Sequence, residues 1–170
     1  TGLGRAGRKY NDTANYTYNN GIGAIDCYGN AATLFVEHVI GSHNQNVTVR
    51  AKASLKDFVV LAAQLTDCHR GIQCGPSSTG AAETDVFIGH VTCVNGSLPQ
   101  VECIGTTSVD RIRTCRVGQI SISGTIIDPE AILTSSPNDG VAHFENTEYV
   151  SVGHARVIDS PSVGIDFDDV

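Results

Sequence analysis

The sequence predicts a mainly β protein: a β-sandwich or jelly-roll-like head, disulfide-stabilised, with an extended N-terminal arm and at most one or two short helices. Three observations lead there. Runs such as Val47-Thr48-Val49-Arg50-Ala51-Lys52-Ala53 alternate apolar and polar residues, and a period of two marks a half-buried strand. Gly, Asn and Pro clusters separate such runs, as the turns of a sandwich or jelly roll do. Six cysteines, Cys27, Cys68, Cys74, Cys93, Cys103 and Cys115, form an even set with no CxxC pair, which reads as a disulfide framework in an oxidising compartment.

The chain divides into an arm, residues 1–20, and one β-rich domain, residues 21–170. The arm opens Gly-rich and basic, with Arg5, Arg8 and Lys9, and continues through Tyr10, Tyr16 and Tyr18 in an Asn/Thr-rich stretch. A segment of this composition cannot build a core, so it is assigned to docking, on its own domain or on a neighbouring subunit. Its Gly2-Leu3-Gly4-Arg5-Ala6-Gly7 fits GxGxxG. The dinucleotide site needs a strand before the glycines and a helix after them, so no cofactor is expected.

Along the domain, Ile22 to Asn30 reads as a strand and turn. Thr33 to Ile40 is read as a strand for its β-branched content, with a short helix capped by Asn30 as the alternative. Val47 to Ala53 is a strand with its polar residues outward. Ser54-Leu55-Lys56-Asp57 resembles a helix start, so 55–66 is either a helix or a buried strand over Phe58 to Leu65. Gly71 to Glu83 is a loop. Val86 to Val94 and Gln100 to Thr106 form a hairpin, and Arg111 to Ile127 a long strand or a bulged pair, with bends at Gly118 and Gly124. Pro129 to Leu133 reads as one helical turn. Thr147 to Ile158 and Val163 to Val170 are the last strands. No repeat of 20–50 residues is visible.

Composition limits the function classes. Of 170 residues, 41% are hydrophobic and 17% charged, with net charge -7. A core is therefore expected, and nucleic acid is not the expected partner. The longest apolar run, Phe58 to Ala63, is too short to span a bilayer. No cleavable signal sequence is recognisable, so the chain reads as mature. Asn11, Asn15, Asn46 and Asn95 each open an Asn-x-Ser/Thr sequon, the acceptor of N-linked glycans in secreted proteins. With the cysteines they point to an extracellular or cell-surface location.

Local spacing favours Cys68 with Cys74 and Cys93 with Cys103, leaving Cys27 with Cys115. No cysteine or histidine spacing suits zinc, and His38, His43, His69, His90, His143 and His154 form no HExxH. Asp166, Asp168 and Asp169 offer carboxylates of the kind calcium takes, but the EF-hand pattern is absent and a charged edge strand explains them equally. Val163, Ile165 and Phe167 alternate with these acids and form a candidate edge strand able to extend a sheet.

These features imply a non-enzymatic structural subunit of an extracellular glycosylated assembly, a filament, pilus-like fibre or surface coat. Its copies are joined by inter-subunit strand exchange. The alternative is a secreted or viral surface recognition ectodomain for another protein or a glycan. A third reading, a small secreted hydrolase, needs two or more of His69, His90, His143 and His154 beside an acid. The expected partners are the chain itself and N-linked glycans, with no metal or cofactor.

Overall fold

Each strand pairing among the described residues is parallel. The computed structural model describes residues 25–42, 47–68, 70–75, 84–96, 99–105, 112–124, 140–160, 164–168 and 170. They form nine strands: β1 (Ile25–Ser42), β2 (Val47–Thr66), β3 (Arg70–Cys74), β4 (Thr84–Val94), β5 (Val101–Ile104), β6 (Ile112–Ser123), β7 (Ala142–Glu145), β8 (Val150–Ile158) and β9 (Ile165–Asp168).

β1 lies along β2, and two rows of strands leave β2. Its second half, from Asp57 to Thr66, begins the row β2-β4-β6-β8, while Val47 to Ala51 begins β2-β3-β5-β7-β9. The chain therefore winds as a coil, and each turn lays a long and a short strand over those of the turn before. This is a parallel β-solenoid.

That architecture overturns the sandwich and jelly roll. β4 and β5, expected to form a hairpin, pair instead with β2 and β6 and with β3 and β7 respectively. Among the described residues there is no helix, and 55–66 is strand. The expected loop from Gly71 begins inside β3, and the helical turn over Pro129 to Leu133 lies outside the described residues. The physical reason is that alternation records which side of a strand is buried and carries no information about the direction of its neighbour.

The core is built from columns. Phe58, Val86, Cys115 and Val150 stack on the inner side of the first row. Ala51, Cys74, Cys103, Phe144 and Phe167 stack on the inner side of the second. The columns keep apolar character without keeping residue identity, and connections of unequal length separate their members. A fixed sequence period is therefore not visible.

Each long strand shifts phase once. In β4, Val86, Ile88, Val91 and Cys93 are buried, while Gly89 and His90 between them are not. At this bend the backbones of successive turns crowd together. A Cβ on Gly153 would stand 2.7 Å from the Gly118 carbonyl oxygen, and one on Gly89 would strike that of Leu61.

A second column sits at the corners after β2, β4, β6 and β8. Asp67, Asn95, Gly124 and Asp159 have φ of 51°, 55°, 63° and 53°. Asp, Asn and Gly tolerate this left-handed geometry best. The corner amides tie successive turns together: Asp67 donates to the Val94 carbonyl at 2.9 Å, Asn95 to Ser123 at 2.9 Å and Gly124 to Ile158 at 3.1 Å.

No disulfide forms. All six cysteines are free thiols, five of them buried. The coil separates the partners expected from sequence: Cys103 meets Cys115, Sγ to Sγ at 3.5 Å, and Cys93 lies near Cys68. The fold is held by stacked apolar columns and parallel ladders instead.

Candidate functional site

The end of the coil carrying β8 and β9 differs from its interior. Among the described residues, no strand pairs with the outer edge of either. The inner columns are correspondingly uncovered. Phe144 is 0% exposed, whereas Phe167, one turn further along the same column, is 52% exposed. Their rings stack with centroids 5.5 Å apart and planes at 20°. In the long row, Cys115, Val117 and Ile122 are buried, while Val150, Val152 and Val157 above them are only half-buried. An unpaired edge with apolar side chains beside it is a template for a further strand. Ile165 and Phe167 of the sequence-predicted edge lie in β9; Val163 lies outside the described residues.

A polar column runs down the other side of the second row, where Arg50, Gln73, Glu102, His143 and Asp166 are stacked in register. Arg50 is 0% exposed and both Glu102 and His143 are buried, which corrects the expectation that the polar residues of 47–53 face solvent. Buried charge needs partners. Gln73 Nε2 donates to Glu102 Oε2 at 2.8 Å, and Arg70 pairs with the same oxygen at 3.4 Å. His143 meets Asp166 through Nδ1 at 3.0 Å and Glu145 through Nε2 at 3.4 Å. An imidazole that donates from both nitrogens is the imidazolium, so a protonated His143 satisfies both carboxylates. This bridge fastens β9 to β7.

The outer side of the long row carries an open groove of about 340 Å³, lined by Asp57, Val59, Asp85, Val86, Phe87, Arg113, Thr114 and Arg116. Parallel register builds it. Thr33, Asp57, Asp85 and Thr114 form one column, and Phe35, Val59, Phe87 and Arg116 the next along the strands. The polar column is satisfied internally: Thr33 donates to Asp57 at 3.1 Å, Thr114 to Asp85 at 2.7 Å, and Arg113 Nε to Asp85 at 3.0 Å, with a second contact through Nη2. The Arg113 hydrogen bond, with help from Thr114, holds the Asp85 carboxyl below its ordinary range. Phe35 and Phe87 are 58% and 42% exposed.

The remaining sequence-predicted residues fall as follows. Asn95 is exposed at a corner; Asn11, Asn15 and Asn46, with Tyr10, Tyr16 and Tyr18, lie outside the described residues. His38, His90 and His154 occupy one exposed column and meet no acid in it. His69 lies outside the described residues, so only His143 is seen beside carboxylates. Asp166 is engaged by His143 and Asp168 lies over Glu145; Asp169 is not among the described residues. Among the described residues, no group of three or more His, Cys, Asp or Glu is placed to hold a metal ion, and no helix is long and apolar enough to cross a membrane.

Sequence reasoning missed the groove and the polar column. The groove had a signal: in Asp85-Val86-Phe87-Ile88 the phenylalanine sits on the polar phase of its strand. The column had none, because its members meet only when distant segments stack. Comparison of the chain with known protein families, curated proteins and solved structures finds no match.

Proposed function

We propose that the protein is a structural subunit of an extracellular, glycosylated assembly whose copies join by strand addition at the β8/β9 end. The observation that carries this reading is the uncovered Phe167 column beside the outer edges of β8 and β9, which pair with no strand among the described residues. A parallel strand from a second copy satisfies those edges through backbone hydrogen bonds and covers the apolar side chains.

The N-terminal arm of the next copy is the donor this reading assigns. Its Arg5, Arg8 and Lys9 complement an acidic end that carries Glu145, Glu148, Asp159 and the β9 residues Asp166 and Asp168. A head-to-tail contact of this kind is heterologous and propagates into a fibre unless it closes on itself.

The test is light scattering and electron microscopy of the whole chain, of a variant lacking residues 1–20, and of Asp168→Lys. Fibres or large oligomers are expected from the whole chain, with both variants monomeric and their circular dichroism unchanged. A whole chain that stays monomeric at high concentration overturns the proposal. Assembly by the truncated chain removes the arm as donor.

A further inference from the structure

We infer that the groove over Phe87 is a binding site for a uronate-bearing oligosaccharide, on the outer side of the long row and one strand in from the β8 edge that the assembly contact uses. The groove is open and shallow, and its two columns run across successive turns, about 4.8 Å apart, so it presents repeated features to a linear polymer rather than a pocket to a compact ligand. Phe87 and, two turns away in the same column, Phe35 expose their rings on the outward phase. An exposed aromatic ring offers the flat apolar surface on which the C–H face of a pyranose stacks.

Charge then selects among sugars. Asp85 is already engaged by Arg113 and Thr114, and Asp57 by Thr33. Arg116 adds only a weaker charge attraction to Asp85 and has no hydrogen bond to its guanidinium among the described residues; it is exposed directly beside Phe87 in the next turn. A guanidinium fork matches a carboxylate bidentately. A ligand with a carboxylate one strand spacing from an apolar sugar face meets both groups at once. The Asp57 and Asp85 carboxylates and the Thr114 hydroxyl border the same groove and give ring hydroxyls further hydrogen-bond partners.

The experiment is titration calorimetry of the whole chain with a hyaluronan hexasaccharide and a mannuronate hexasaccharide, each alongside its carboxyl-reduced counterpart. At least one acidic sugar is expected to bind. Its neutral counterpart, Arg116→Ala and Phe87→Ala should each weaken binding about tenfold or more, the scale of a lost charge-assisted hydrogen bond. Asp168→Lys, which breaks assembly on the reading above, should leave binding unchanged. Both groove residues are solvent-exposed, and matching thermal unfolding of the variants checks that the fold is kept; the reduced sugar tests the carboxylate without any mutation. The inference is overturned if neither acidic sugar binds at millimolar concentration, if the reduced forms bind as well, if Arg116→Ala is without effect, or if an oligoglutamate peptide binds equally.

Discussion

The carbonyl oxygen of Gly89 occupies the space that a side chain on Gly118 would need: a Cβ there would lie 2.5 Å from it. The crowding arises because successive turns bend at one shared column, where backbone passes directly over backbone. Glycine is required here for close approach. Gly118→Ala should therefore destabilise the protein by about 1–3 kcal/mol, the usual cost of overpacking, seen as a lower urea midpoint with unchanged slope. Gly153→Ala should cost less, because β8 has no described neighbour on its outer edge to resist a shift.

The left-handed corners make a second prediction. Asn95 has φ of 55° and hands its amide to Ser123. Asn95→Gly should be close to neutral, whereas Asn95→Val should lose about 1–2 kcal/mol, the strain of a β-carbon in this region. Equal midpoints for the two variants would refute the corner as the source of the constraint.

Thiol chemistry provides a third. Cys68, Cys74, Cys93, Cys103 and Cys115 are buried and Cys27 is half-buried. Burial, with neighbouring Cys68, pushes Cys93 up to about 12. Burial also raises Cys74, and the hydrogen bond with Cys115, then burial, raises Cys103. Thiolate is the reactive form, so native protein treated with iodoacetamide at neutral pH should be alkylated first at Cys27, as read by peptide mass spectrometry. Uniform labelling of all six would contradict the buried columns.

The same raised thiols set the alkaline limb of stability. As pH rises above about 8.5, the ordinary cysteine value, the unfolded chain loses thiol protons that the native state keeps. The unfolded state then binds fewer protons, and stability falls with pH. The contribution is full below that value and is lost progressively as pH climbs towards the folded-state values. Urea midpoints measured from pH 7 to 10.5 should decline, and Cys93→Ala should flatten the decline while lowering the midpoint at pH 7.

Asp85 acts at the opposite end of the pH scale. Its carboxyl is held below the ordinary range chiefly by the Arg113 hydrogen bond, so as pH falls the unfolded chain takes up that proton first. The stabilisation is present above about pH 4 and disappears as the pH drops through the native value. Melting temperatures from pH 7 to 2.5 should fall more steeply for wild type than for Asp85→Asn. The difference should be small, because the pair lies at the surface and is screened by solvent.

Period-two alternation over residues 47–53 and in Val86-Phe87-Ile88 was enough to read β-strand from the chain itself, because alternation follows from the geometry of an extended backbone. The residues of the groove were also present as a local pattern, with Phe87 and Asp85 on the phase opposite Val86 and Ile88. The partner of each strand was beyond the sequence. Cys103 sits twelve residues from Cys115 along the chain, yet the two thiols meet only because one turn of the coil brings β5 and β6 around a common core. His143 and Asp166 likewise become neighbours through parallel register between β7 and β9. Local alternation sets which residues of a strand share a side. The direction of pairing, the separation of the expected cysteine partners and the joining of the polar column depend on how distant segments stack, and that was decided only by the tertiary fold.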